Sequence, residues 1–407
     1  KDGVDGKDGI NGKDGVSISK IELTATDGNQ DTYTITMTNG ITYNFVITPG
    51  FTTPDWAKGA IFYQIYVDRF CNGDTSNDVL DNEYSYIGEG TRRITDWDKY
   101  PDAMDVRCFY GGDLQGVMDK LDYLQELGIQ CIYFNPLFVS PSNHKYDIQD
   151  YDHIDPHFGK IVDDRGELLK EDQFENRLAT KYINRVTNKA NLEASDALFA
   201  KVVSEAHKRG MKVIMDLVVN HSSDEHEWFK KGIDKNSKYH DYYFWRDGKG
   251  KKLPNNWSSL FEGKAWEYCP ENGQYYLHLF SKKQPDLNMD NPAVREELYA
   301  MIRYWVDKGI GGFRLDVIDQ IAKDPDLKVT GNGPLLHDFL RELSKEAFIE
   351  EGLVTVGEAW GANVERAKLY SAPDGSELSM VFQFEHMCLD QTSWQKWDYA
   401  PLPLVKL

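Results

Sequence analysis

Two carboxylates stand at matching places in this chain. Asp316 sits near the end of the apolar run Gly312-Phe-Arg-Leu-Asp-Val-Ile318, and Glu358 closes the next run, Val356-Gly-Glu-Ala359. A third run ends in the same way upstream, at Asp216-Leu-Val-Val-Asn220-His221. Glycosidic bond cleavage needs such a pair: one carboxylate attacks or supports the anomeric carbon and the other protonates the leaving oxygen. Arg314 lies two residues before Asp316, hence on the same side of a strand. Its fixed positive charge is expected to keep Asp316 ionised.

These residues need strands that end at one rim. Apolar, β-prone runs at residues 61–70, 131–138, 212–219, 311–317, 353–357 and 380–384 read as strands. The stretches 114–127, 194–209, 293–308 and 335–350, with 3.6-residue periodicity, read as helices between them. Gly128, Gly210 and Gly309 are placed as helix stops. Strand–helix alternation predicts a parallel α/β sheet, and polar residues at successive strand ends predict a (β/α)8 barrel with its site at the C-terminal rim. Two long excursions, 140–191 and 222–285, follow strand ends. The second is expected to be an inserted loop domain after the third strand.

The first 16 residues carry Gly at positions 3, 6, 9, 12 and 15 without proline, which reads as the end of a flexible or collagen-like stalk. Such stalks are commonest on exported or surface proteins, a weak pointer that leaves a cytoplasmic location open. Residues 17–50 read as a small β-hairpin module. Its runs 18–25, 32–38 and 41–47 are joined by an Asp27-Gly28 turn and a two-residue Asn39-Gly40 link.

A formal charge of −20 over 407 residues argues against nucleic acid and anionic membrane surfaces as partners. No apolar run reaches the roughly 18 residues of a membrane span. The chain has 10 Trp and 23 Tyr, which suits a neutral sugar ligand, since a pyranose has an apolar face, although filling a large core explains many of them equally well. Five cysteines (71, 108, 131, 269 and 388) without a C-x-x-C pair argue against a disulfide or metal framework, and Cys131 reads as core.

Taken in order, Asp216…Asn220-His221, Gly312-Phe-Arg-Leu-Asp316 and Gly357-Glu358 resemble successive signature regions of the α-amylase superfamily of retaining glycoside hydrolases. The resemblance covers roughly Trp56 to Asp390 and implies a catalytic barrel over 54–407. It implies that Asp316 is the nucleophile, Glu358 the general acid/base and His221 a ligand of the sugar at the cleavage point. Asp216 reads as a residue that orders loops at the rim. In Ser140-Pro-Ser-Asn-His-Lys-Tyr146-Asp147, the resemblance implies that Tyr146 stacks under that sugar and that Asp147 binds its hydroxyls.

Asn72, Asp74, Asn77 and Asp78 place four oxygen-bearing side chains within seven residues, the hard-ligand chemistry that Ca²⁺ selects. The run resembles the calcium loop of neopullulanase-type members, which adds a Gly carbonyl and an Asp matching Gly111 and Asp113. Such Asn/Asp/Gly clusters also form ordinary turns.

The two halves resemble different subfamilies. Up to about Asn191 the chain resembles neopullulanases and maltodextrin hydrolases; from Asp216, and most sharply at Gln284-Pro-Asp-Leu-Asn288, it resembles oligo-1,6-glucosidases. Val317 is of the type associated there with α-1,6 bonds, a branched side chain narrowing the pocket. The expected activity is α-1,6 cleavage of isomalto-oligosaccharides or limit dextrins. The alternatives are a maltodextrin hydrolase, a transglycosylase, or a non-catalytic carbohydrate-associated scaffold. The resemblance also implies a third carboxylate beside a His, and no N-H-D follows Glu358. The chain therefore reads as a barrel truncated after about six strands, inactive and aggregation-prone alone. Robust turnover of isomaltose by the purified chain contradicts that expectation.

Overall fold

The computed structural model describes residues 15–27, 30–47, 53–103, 105–250, 252–261, 263–349, 352–372, 375–390 and 399–400; the Gly-x-y expectation for the first 14 residues lies outside them. The chain divides into two compact units, Lys1–Thr52 with Pro373–Gly375 and Thr53–Ala372 with Ser376–Leu407.

In the first unit, β1 (Ile18–Asp27), β2 (Gln30–Met37) and β3 (Thr42–Ile47) form an antiparallel sheet in that order. β-Branched residues and strict alternation favour strands here. The link between β2 and β3 is longer than the expected two residues. Met37 N–H donates to Ile41 O (2.8 Å), Gly40 N–H donates to Met37 O (2.9 Å), and only Gly40 takes a positive φ, +81°. A two-residue type I′ turn needs positive φ at both positions, which Asn39 does not adopt.

The second unit is built on six parallel strands: β4 (Phe62–Ile65), β5 (Cys131–Phe134), β6 (Lys212–Leu217), β7 (Gly312–Leu315), β8 (Val354–Gly357) and β9 (Met380–Val381). They pair in chain order, with β4 and β9 outermost among the described residues. Each strand is shorter than its apolar run. The residues just beyond β4 turn into a 3-10 helix at Val67–Arg69, and Phe138–Val139 leaves the sheet to pair with Asp150–Ile154.

Helices α1 (Leu114–Asp119), α2 (Leu121–Glu126), α3 (Lys189–Lys208), α4 (Pro292–Asp307), α5 (Leu336–Ala347) and α6 (Val364–Tyr370) lie between the strands. The single helix expected at 114–127 breaks at Lys120. The third helix starts earlier than its periodicity suggested, because Asn188 accepts from Ala190 N–H and caps it. Pro292 opens α4 behind the Asn291 cap, where its missing N–H costs nothing. Gly128, Gly210 and Gly309 all take positive φ at helix ends.

The core runs along the helix-facing side of the sheet, with Ile132, Phe134, Val213, Met215, Phe313 and Leu315 fully buried against Leu124, Phe199, Leu298 and Trp305. Cys131 is buried and unpaired. The 222–285 excursion carries its own antiparallel sheet of Trp245–Arg246, Gln274–Leu277 and Trp266–Cys269 over a separate aromatic cluster. Among the described residues no helix is long and apolar enough to cross a membrane.

Candidate active site

The parallel register places Asp216 on β6 opposite Arg314 on β7. The ladder continues one residue past the strand ends: Asp316 N–H donates to Leu217 O and Glu358 N–H to Leu315 O, each at 2.9 Å. Both carboxylate residues are therefore fixed by backbone bonds at the C-terminal rim. Gly357 packs tightly just before Glu358: a Cβ there would lie 2.7 Å from Leu378 Cδ1 and 3.1 Å from Ile318 Cγ2, so these side chains would have to shift.

Arg314 joins the pair. Nη1 donates to Asp316 Oδ1 (2.6 Å) and Nη2 to Glu358 Oε2 (2.5 Å), while Nη1 also reaches Asp216 Oδ1 (2.9 Å) and Oδ2 (3.2 Å). Asp216 Oδ2 further accepts from the hydroxyls of Tyr133 (2.6 Å) and Tyr146 (2.7 Å). Glu358 accepts from Trp360 Nε1 at Oε1 (2.9 Å) and from Val317 N–H at Oε2 (3.2 Å). Arg314, Asp316 and Glu358 keep 9, 7 and 9% exposure, whereas Asp216 keeps none. Asp216 holds Arg314 and Tyr133, and through Tyr146 it also ties down the loop that follows β5.

The electrostatics set burial against the Arg314 charge expected to keep Asp316 ionised. Burial pushes the Asp316 carboxyl well above its ordinary range. Arg314 opposes this, while Asp216 and Glu358 push the same way. Burial also raises Asp216, against Arg314 and the two tyrosine hydroxyls. Burial disfavours the Arg314 cation too, yet Asp216 and Asp316 hold it above its ordinary value. One guanidinium divided among three buried carboxylates offsets that rise only in part.

Val317 takes φ +38° and ψ +44°, a left-handed conformation that a β-branched residue rarely adopts. It is 4% exposed, so its side chain offers little surface to narrow a pocket. Its measured link to the site is the N–H aimed at Glu358.

His221 is buried against Phe280, with ring centroids 5.2 Å apart. Gln284 Oε1 accepts from Ser281 N–H, which turns its NH₂ toward His221 Nε2 at 3.1 Å. Asn220 Nδ2 lies 3.1 Å from the other ring nitrogen, Nδ1, so side-chain amides flank the imidazole on both sides. Burial, then Lys323, lowers the His221 pKa to about 3, keeping it neutral. Phe280 and Gln284 also line a groove of about 360 Å³ with Tyr86, His144 and Phe261. Gln64, Tyr66, Asn135 and His144 line a second opening of about 440 Å³.

Asp147 is fully buried, accepts from Ser140 (2.7 Å) and Ser142 hydroxyls, and keeps Oδ2 unpartnered. Tyr146 thus joins the Arg314 cluster through Asp216, whereas no hydrogen bond described here connects Asp147 to it.

The candidate cation ligands form a separate group. Asn72 Nδ2 donates to Asp78 Oδ1 (2.8 Å), and a Cβ on Gly111 would fall 2.4 Å from that oxygen. Asn72 Oδ1 and Asn77 Oδ1 are buried without partners. Asp74 instead pairs with Lys160 (2.5 Å), and Asp113 accepts from the backbone N–H groups of Gly73, Asp74 and Gly116, capping α1. Asp78 pairs with Arg93 as Asp74 does with Lys160, so the oxygens left free in this group are those of the Asn72 and Asn77 amides. Among the described residues no three His, Cys, Asp or Glu side chains could hold a metal by themselves.

The sequence reading did not single out Tyr133, Trp360 or Phe280. A polar-tipped Tyr133 in the buried run Cys131–Phe134 and a Trp two residues after Glu358 were the available signals.

The model of the α-amylase catalytic domain matches residues 64–176 and 194–407. The chain belongs to the α-amylase family. This member is 48% identical over 292 residues to a glucan 1,6-alpha-glucosidase of Streptococcus dysgalactiae subsp. equisimilis, covering 71% of the chain and 47% of that relative. It is 39% identical over 369 residues to an oligo-1,6-glucosidase of Parageobacillus thermoglucosidasius, covering 86% and 54%. Among solved structures, trehalose-6-phosphate hydrolase of Bacillus licheniformis matches with a TM-score of 0.65 at 36% identity, covering 87% of this chain and 54% of that one. The chain spans about half the length of the curated relatives it matches. Family and neighbours imply an α/β TIM-barrel fold, of which six parallel strands are described.

Proposed function

We propose that this α-amylase family member carries the machinery of a retaining α-glucan hydrolase directed at α-1,6 bonds. The observation that carries the reading is the single guanidinium joining Asp316 to Glu358. Both carboxylates lie within hydrogen-bond reach of one guanidinium, which is compatible with the spacing of about 5–5.5 Å that a retaining pair needs. Asp316 attacks the anomeric carbon while Glu358 protonates the leaving oxygen; Glu358 then takes a proton from the water that releases the sugar. Arg314 and the Val317 N–H hold Glu358, and Asp216 holds Arg314. His221 and Tyr146 serve as sugar contacts. Asp147 joins them through its unpartnered oxygen after a local rearrangement.

The names of the glucan 1,6-alpha-glucosidase and oligo-1,6-glucosidase relatives support the linkage. Linkage is tested by competition: isomaltose and panose are expected to inhibit turnover of α-glucosyl fluoride more strongly than maltotriose or pullulan. The reverse order moves the chain to the maltodextrin hydrolases, and transfer to added sugar rather than water makes it a transglycosylase.

We also propose a structural Ca²⁺ held by Asn72, Asn77, Asp78 and the Gly111 carbonyl, supported by the two unpartnered amide oxygens and the room left by Gly111. The ion would tie loop 72–78 to loop 111–113. Calcium is expected to raise the melting temperature and a chelator to lower it, with Asn77→Ala removing the response; an unchanged melt in both contradicts the site.

A further inference from the structure

The three-stranded sheet of the N-terminal unit has two very different faces. Register pairs Ile21 with Ile35 and Leu23 with Tyr33, and continues to Tyr43 and Phe45 on β3. Directly opposed residues share a face, so these six side chains form one continuous apolar surface, with Tyr33 stacked on Phe45 at 5.4 Å. The other face is polar and satisfies itself: Thr24 and Thr34 hydroxyls bond at 2.9 Å, and Thr34 donates to Asn44 at 2.7 Å.

An antiparallel sheet of this kind normally buries its apolar face. Here no described residue of the three strands is buried, and Ile21, Leu23 and Tyr43 are 53, 51 and 57% exposed. A small sheet with an uncovered apolar face lacks the packing that stabilises it, and a contiguous patch of this kind marks an interaction surface.

The chain outside the described residues says what covers it. Those first 14 residues end at Asp14, four positions before β1 begins, and carry Gly at every third position. A Gly-x-y period has a physical purpose only where three chains meet, since only Gly fits at the crowded axis. The intervening residues alternate charge: Lys7 and Lys13 follow glycines, and Asp5, Asp8 and Asp14 precede them. Staggered copies can therefore set a Lys of one chain beside an Asp of another. These triplets carry no proline, the residue that favours the extended helix of each strand, so an adjoining trimer contact would stabilise them. We infer that the apolar face of β1–β3 is that contact, packing on the same face of two further copies of this chain. The catalytic units would then be carried in threes, at higher effective concentration on a branched polymer than single copies reach.

Sedimentation of the purified 407-residue chain is expected to give about 140 kDa, three times the 46.7 kDa chain. Leu23→Glu with Tyr43→Glu is expected to return the mass to the monomer, and Gly9→Ala to weaken the trimer on dilution. Glu22→Lys, on the polar face, is expected to leave the trimer intact. Hydrogen exchange of unaltered chain supplies a readout independent of any variant: amides of β1–β3 should gain protection as concentration rises. A monomer or dimer overturns the inference. So does a trimer that survives the double charge substitution, or exchange in β1–β3 that is insensitive to concentration.

Discussion

Two buried charge clusters in the catalytic unit are built on opposite principles. Beneath the loop bearing Tyr146, Lys145 Nζ meets Asp155 Oδ2 at 2.6 Å, His157 bridges Asp155 (2.8 Å) and Glu83 (2.7 Å), and Arg185 meets Glu83 at 2.7 Å and Asp164 at 2.6 Å. Each charge there has an opposite neighbour. Burial works against the Asp155 carboxylate, but Lys145 and His157 hold it well below its ordinary range. Burial likewise works against the His157 cation, and Glu83 and Asp155 raise it. At the strand ends, one Arg314 faces Asp216, Asp316 and Glu358, and Asp316 is driven upward. Balanced charge fixes the loop; surplus negative charge leaves a site whose carboxylates are poised to exchange a proton and to meet a developing oxocarbenium ion.

The contrast is sharpest under mutation. Lys145→Met strips the balanced cluster of a cation that lies over the Phe109 and Phe158 rings, and leaves Asp155 with His157 alone as its charged partner. A stability loss of about 3–5 kcal/mol is expected in denaturant titration. Tyr133→Phe removes one hydrogen bond to Asp216 and is expected to cost about 1.5–3 kcal/mol. Asp316→Asn should act in the opposite direction, raising stability at neutral pH by on the order of 0.5–2 kcal/mol while abolishing turnover.

The pH dependence of that gain follows from the raised Asp316 pKa. The wild-type carboxyl contributes its full stability below the unfolded value of 3.8 and loses it as pH rises through the folded value. The advantage of Asp316→Asn is therefore smallest in acid, and thermal melts from pH 3 to 7 check it. The smallest effect belongs to His157, whose raised value makes its contribution complete below the unfolded value of 6.5 and lost at higher pH. His157→Gln should flatten the alkaline limb of the stability profile, and an unchanged limb removes His157 from the balance.

Much of this was legible in the chain. Six apolar runs gave the parallel sheet, three of them ending in polar residues, and Asp316 and Glu358 could be placed at its rim because strand period and strand end are both local properties. The loop beneath Tyr146 was not legible: Glu83, Asp155 and Arg185 lie far apart in sequence and meet only through tertiary packing. The same holds for the sharing of Arg314. Spacing predicted its contact with Asp316, whereas its contacts with Asp216 and Glu358 depend on strand register. The left-handed Val317 carried no signal, since Gly or Asn is the residue that announces such a conformation.

The division of labour between Asp316 and Glu358 is tested most directly with α-glucosyl fluoride, whose leaving group needs no proton. Asp316→Asn should lose this substrate. Glu358→Gln should retain it at the glycosylation step while losing isomaltose, and the first-formed glucose should be the α anomer. Turnover of the fluoride by Asp316→Asn, or β-glucose as the first product, would contradict a retaining mechanism centred on Asp316.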